Sequence, residues 1–297
     1  MPNSNSLTTT YNILVTGSMG QLGSEIKELS STYTYRFYFT GKYELDITDL
    51  NMLRKFIIQN NIDTIINCAA YTAVDKAESE QELSDKINHL GVRNLSILAN
   101  EFSIKLIQIS TDYVFDGRSS RAYIESDITN PLSVYGKANY NAEQEMFNYK
   151  LKNSIIISTS WVHSYYGNNF VKTMLRLGKE RTEIGVVCDQ IGTPTYAKDL
   201  AKVILEIIPK IKNNEVEIFH YSNEGVASWY DFAKEIMKMA KLNCKINPIE
   251  TYQYPTPAKR PHFSLLNKSK IKSKFNLEIP YWKDGLDDCL KRLGERR

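Results

Sequence analysis

Short apolar runs alternate with amphipathic stretches through the first half of the chain, the pattern of βαβ units on a parallel sheet. "NILV" (12–15) predicts a strand, followed by a glycine-rich turn and a helix from about Ser24. "RFYFTG" (36–41) predicts a second strand, "MLRKFIIQN" (52–60) a helix, and "DTIINCAA" (63–70) a buried strand. One long helical stretch covers 79–102, and "KLIQIST" (105–111) predicts the next strand. A helix opening at "YGKAN" (135–139) leads to another strand at "SIIISTSW" (154–161).

Beyond about Val162 this rhythm breaks. A helix is expected over 167–180, then strand, loop and helix over 183–208, and a strand at 217–223. A helix capped by Ser228 follows, and a Pro-rich extended segment runs over 254–267. The fold class expected is α/β: a Rossmann-like doubly wound parallel sheet with a smaller C-terminal α/β substrate lobe. Residues 11–162 form the dinucleotide-binding domain, completed by roughly 183–222; residues 163–182 and 223–297 form the substrate-binding lobe.

Composition narrows the class. At 297 residues the chain can bury a sizeable core, and its net charge of +3, with both signs interleaved, advertises no nucleic-acid or membrane surface. The opening "MPNSNSLTTT" lacks the apolar stretch of a signal peptide, and no apolar run approaches the ~18 residues of a membrane helix. Cys68, Cys188, Cys244 and Cys289 form no CxxC pair, which predicts reduced thiols in a cytoplasm. The four histidines have no HExxH spacing, so no metal site is expected.

"TGSMGQLG" (16–23) places Gly17, Gly20 and Gly23 between a strand and a helix. The first glycine permits the tight turn, the second lets backbone N–H groups approach a pyrophosphate, and the third allows close helix–strand packing. An acidic residue for an adenosine ribose is missing from the end of the second strand, where Gly41 and Lys42 stand. Lys42 either accepts a 2′-phosphate, which favours NADPH, or is a solvated surface lysine. Thr111 and Asp112 end a strand at the carboxyl edge of the sheet, and with Tyr135 downstream Thr111 forms a polar clamp for one carbonyl oxygen. Trp161 either stacks on a sugar ring or is an aromatic at the core edge. His163 reads as a satisfied polar residue, and Arg260 as a surface ion pair.

Along residues 12 to 293 the motifs "ILVTGSMGQLGSEI", "NCAAYTAVDKAESE", "ISTDYVFDG", "NPLSVYGKAN" and "DQIGTPTYAKDLA" resemble the dTDP-4-dehydrorhamnose reductases of the extended short-chain dehydrogenase/reductase superfamily. The resemblance implies hydride transfer from NADPH, or NADH, to the 4-keto carbon of a dTDP-linked 6-deoxysugar. It implies a cytoplasmic homodimer as well. Carried over residue by residue, Met19, Gly20 and Gln21 line the pyrophosphate, and Asp46 with Ile47 the adenosine; Gly17, Leu22, Gly23 and Lys42 are counted with them as cofactor-binding candidates. Ala69, Ala70, Tyr71 and Thr72 run along the cofactor. Thr111, Asp112 and Trp161 contact the substrate, and Tyr135 donates the proton. Related 4,6-dehydratases carry Thr-Asp-Glu at this strand end; here Tyr113 replaces the glutamate, which favours reduction.

One position departs from the pattern. The family's tyrosine is followed four residues later by a lysine that holds the nicotinamide ribose and lowers the tyrosine pKa, and here that residue is Asn139. Lys137 lies about 200° around the helix from Tyr135 and cannot substitute. The expectations are therefore an active or attenuated reductase, a non-catalytic nucleotide-binding regulatory subunit, or a reductase of a different nucleotide sugar.

Overall fold

The computed structural model describes residues 11–296; the polar opening segment 1–10 lies outside the described residues. Elements follow in chain order: β1 (Asn12–Thr16), α1 (Gln21–Leu29), β2 (Arg36–Thr40), α2 (Leu50–Asn60), β3 (Thr64–Asn67), α3 (Gly91–Phe102) and β4 (Lys105–Thr111). Then come α4 (Val134–Asn148), β5 (Ile155–Thr159), α5 (Phe170–Glu180), α6 (Ala197–Ile207), β6 (Glu217–His220), α7 (Trp229–Met239) and α8 (Trp282–Arg292).

Every residue of β3 and β5 is buried, so these strands need cover on both faces. The six strands pair in the order β6-β5-β4-β3-β1-β2, all parallel. Leu22 and Ile26 of α1 and the apolar side of α6 cover one face. Leu53 and Ile57 of α2, Val92 and Leu95 of α3, and Ala142 and Met146 of α4 cover the other. The chain reaches β2 on one side of β1 and returns to β3 on its other side, which makes the carboxyl ends of β1 and β3 the switch point where such sheets bind ligands. A polar chain ties that edge together: Thr16 donates to Asn67 at 2.5 Å, and Asn67 donates to Gln108 at 2.7 Å.

α5, α7 and α8 enclose a second core containing Val171, Phe232, Trp282 and Leu286. Residues 183–187, grouped with the first domain in the sequence reading, pair with Lys245–Ile249 in this lobe instead. Conversely, Ile271 and Phe275, expected in the lobe, pack into the core beneath the main sheet. A buried charge cluster joins the two parts. Glu25 of α1 is fully buried and accepts from Arg292 of α8 at 2.8 and 3.0 Å and from Ser164 at 2.6 Å.

Two helices differ from expectation. α1 starts at Gln21, three residues early, because the turn itself supplies its N-terminus, with Ser24 N–H donating to Gly20 O at 3.0 Å. The stretch 79–102 is interrupted by a π-helical turn over Lys86–Leu90. Asn88, inside that turn, bonds both backbone groups of Tyr71, at 2.7 and 3.0 Å. The helix opens where its side chain is recruited to hold a neighbouring loop.

Candidate active site

The glycine turn stands at the carboxyl end of β1. Gly17 has φ +62, and a Cβ there would lie 2.5 Å from Ala69 N, so the loop after β3 closes directly over it. A Cβ on Gly23 would lie 2.5 Å from Gly17 O, which is the close helix–turn packing expected of the third glycine. At Gly20, which precedes α1, no side chain caps the helix, leaving its first amides free for an anion. A cavity of about 220 Å³ opens at the switch point, lined by Gly17, Gly20, Lys42, Asp46, Ile47 and Ala69 among others.

These residues fit a dinucleotide, but their side chains divide. Lys42 is exposed at the rim and Met19 projects into solvent. Gln21 points toward the lobe, accepting from Asn169 at 3.0 Å. Leu22 turns its side chain into the core beneath the sheet, so only its backbone faces the turn. Ala70 and Thr72 are exposed along the loop after β3, while Tyr71 donates its hydroxyl to Glu80 at 2.6 Å.

At the carboxyl end of β4, Thr111 and Asp112 are both buried. Thr111 Oγ1 donates to Asp112 Oδ1 at 3.1 Å and accepts from Tyr113 N–H at 3.2 Å. Asp112 Oδ2 has no hydrogen-bond partner. Burial pushes the Asp112 carboxyl up to about 6, against the pull of the Ser264 and Thr111 hydroxyls. Burial also pushes the Tyr135 phenol up to about 12, opposed by Thr111 and assisted by the negative charge of Asp112. Tyr135 is held by the residues on either side of it. Ser133 caps α4, and a Cβ on Gly136 would overlap the Tyr113 carbonyl, so only glycine lets α4 approach the turn after β4 this closely.

Asn139 faces inward, 4% exposed, while Lys137 faces solvent. The Asn139 amide does not reach toward the phenol; it donates to the Tyr135 backbone carbonyl at 2.9 Å. One turn further, Glu143 is buried and accepts from Ser110, and burial raises its carboxyl to about 7 despite that bond. Two buried acids, Asp112 and Glu143, therefore lie on or beside the two elements that carry Thr111 and Tyr135. Glu143 was not singled out in the sequence. Its spacing of eight from Tyr135, two helical turns, is the signal that places it on the same face.

Trp161 follows β5 with φ +50, a left-handed backbone unusual for so bulky a residue. Its ring stacks on Trp229 of the lobe at 3.6 Å and 9°, a partner absent from the sequence reading. His163 corrects its expectation. It is buried between Tyr196 and Phe232, neither ring nitrogen has a partner, and burial pulls its pKa down to about 3. Arg260 forms a bidentate pair with Asp75 at 2.7 and 2.9 Å and carries no free charge toward the site. Among the described residues no group of three or more His, Cys, Asp or Glu could hold a metal ion, and no helix is long and apolar enough to cross a membrane.

This geometry has close counterparts. The family described as "RmlD substrate binding domain" matches residues 11–295. A dTDP-4-dehydrorhamnose reductase of Aggregatibacter actinomycetemcomitans is 42% identical over 284 residues, covering 92% of this chain and 96% of the relative. Two crystal structures superpose with TM-scores of 0.90, each covering 95% of this chain and 99% of its own. They are the dTDP-4-dehydrorhamnose reductases of Clostridium acetobutylicum, 39% identical, and of Bacillus anthracis in complex with NADP, 38% identical. Matches over nearly the whole length at this identity assign the lineage as well as the fold: the chain belongs to the dTDP-4-dehydrorhamnose reductase family.

Proposed function

We propose that this protein reduces the 4-keto group of dTDP-4-dehydro-6-deoxy-L-mannose to give dTDP-L-rhamnose, using NADPH, at a rate lowered by the absence of a lysine at position 139. The observation that carries this reading is the glycine-cradled cavity at the carboxyl edge of the sheet, with the buried Thr111 ending β4 and Tyr135 opening α4. When bound, the cofactor supplies the hydride. The first amides of α1 take its pyrophosphate, and Lys42 at the cavity rim suits a 2′-phosphate. Tyr135 and Thr111 hold the substrate carbonyl oxygen, and the phenol gives it a proton. A phenol near 12 is fully protonated at neutral pH, so the donor is in the required state; it is a weak acid, which limits the rate. In this reading Asp112 and Trp161 belong to the substrate side of the site.

The reading includes a cytoplasmic homodimer, which light scattering of the purified protein tests. The activity is tested by single-turnover oxidation of NADPH with the keto sugar, identifying the product. Stoichiometric conversion to dTDP-L-rhamnose is expected. No conversion while NADPH still binds would overturn the assignment and leave a nucleotide-binding regulatory role.

A further inference from the structure

We propose that Asp75 is a positioning residue for the substrate: through its pair with Arg260 it fixes the Pro-rich strap 254–267 against the turn after β4, and so sets how tightly the sugar nucleotide is held. This rests on the reductase reading above. One carboxylate takes three bonds here. Asp75 Oδ1 accepts from Arg260 Nη1 at 2.9 Å and from the Ala258 backbone N–H at 3.2 Å, and Oδ2 accepts from Arg260 Nη2 at 2.7 Å. The planar guanidinium matches both oxygens, a geometry no lysine provides. Both side chains are partly exposed, where a single ion pair contributes little, so the fork and the backbone bond carry the effect.

The segment that carries Asp75 is fixed at both ends. Upstream, Asn88 bonds both backbone groups of Tyr71 at 2.7 and 3.0 Å, on the loop after β3. Downstream, Glu78 Oε1 accepts from the Val134 N–H at 3.0 Å, at the first residue of the helix that presents Tyr135. Between these holds Asp75 sits in the helical turn Val74–Ala77, whose Ala77 is fully buried. Its carboxylate is thus a post set by the loop after β3 and by α4, independently of the strap.

The strap depends on that post. Pro255, Pro257 and Pro261 have no N–H to donate. Among the described residues, every hydrogen bond that leaves the stretch 255–261 goes to Asp75. Ala258 is buried there, while Pro257 and Lys259 on either side of it are exposed. Further along, Ile191 N–H donates to His262 O, Ser264 N–H to Ile191 O and Asn267 N–H to Tyr123 O, each at 2.8 Å. A Cβ on Gly117, in the turn that follows Thr111 and Asp112, would lie 2.5 Å from Pro261. A Cβ on Gly192 would lie 3.0 Å from Ser264 Oγ and 2.9 Å from the Trp161 ring. The strap therefore crosses both elements that the reductase reading gives to the sugar, and its free stretch is placed by one carboxylate.

The test is a double-mutant cycle of Asp75→Ala, Arg260→Ala and both together, with two readouts. In the free protein, hydrogen exchange over a peptide spanning 255–267 should quicken in each single variant, and no further in the double. In NADPH oxidation with dTDP-4-dehydro-6-deoxy-L-mannose, KM for the sugar should rise on the order of tenfold in each single variant and by no more in the double, with kcat falling by a smaller factor. Arg260→Lys keeps the charge without the fork and should raise KM nearly as far. Unaltered exchange, additive effects in the cycle, a kcat loss with KM unchanged, or wild-type behaviour of Arg260→Lys would each overturn the proposal. If exchange responds as expected but the wild type never converts the sugar, the reductase reading falls, and the substrate-positioning role with it.

Discussion

Replacing Asn139 by lysine puts a cation one helical turn from Tyr135, on the face where the asparagine now sits 4% exposed. A cation within ~4–6 Å lowers an acid's pKa by about 1–3, and here it acts on a phenol raised to about 12. With a Brønsted slope near one half, that shift accelerates proton donation roughly 3- to 30-fold. The structure favours the lower end. Glu143, one turn beyond position 139, is a buried acid held near 7, and an ammonium beside it draws it into ionisation. The resulting ion pair neutralises much of the cation's field at Tyr135. The double variant Asn139→Lys/Glu143→Gln removes the competing carboxylate and should give the larger gain. The assay is single-turnover NADPH oxidation, with alkaline ultraviolet titration of the phenol and cofactor affinity measured alongside. If Asn139→Lys folds and binds NADPH while both the rate and the phenol titration stay put, the electrostatic reasoning is wrong.

Two further outcomes follow from the same helix. Gly136→Ala forces a methyl group against the Tyr113 carbonyl and moves α4 away from β4; kcat should fall at least tenfold, with thermal stability reduced by about 1–3 kcal/mol and NADPH affinity nearly kept. An unchanged kcat would show that Tyr135 is not positioned by this contact. Glu143→Gln concerns pH. The folded carboxyl sits near 7 against 4.5 unfolded, so the native state holds its proton more tightly, and this contribution to stability is lost as pH rises from about 4.5 to about 7. Above that range the ionised residue costs about 3 kcal/mol, which glutamine removes while still accepting from Ser110. Urea midpoints of the variant should therefore exceed those of wild type increasingly with pH; a constant difference would refute the assignment.

The parts of the site legible in the sequence were those whose chemistry is carried by residue type at a fixed spacing. The three glycines of the turn, Thr111 with Asp112 at a strand end, and Tyr135 opening a helix are of this kind, as is the solvent-facing Lys137. What the sequence concealed depends on partners far away along the chain. The π-turn at 86–90 forms because Asn88 serves Tyr71, 17 residues earlier. The strand 183–187 alternates as any sheet strand does, and its own pattern does not say that its neighbour is 245–249 rather than the main sheet. The Glu25–Arg292 pair spans 267 positions, and Trp229 reaches Trp161 only after the lobe has docked. His163 misled because a histidine beside a strand end commonly finds a partner, whereas aromatic rings surround this one.

The missing lysine and the buried Asp112 bear on the same quantity, the acidity of Tyr135. A cation at 139 would contribute about 1–3 in pKa, or roughly 1.4–4 kcal/mol. A hydrogen bond donated to a developing phenolate contributes roughly 1.5–3 kcal/mol, since the acceptor is charged. Asp112 works in the other direction: the Thr111 hydroxyl is donated to its Oδ1, and its negative charge raises the phenol. A lysine also grips the nicotinamide ribose through a charged donor, and neither Thr111 nor the backbone-bound amide of Asn139 replaces that contact. We therefore expect the departure at position 139 to show in NADPH affinity as well as in the rate, which the same Asn139→Lys variant measures.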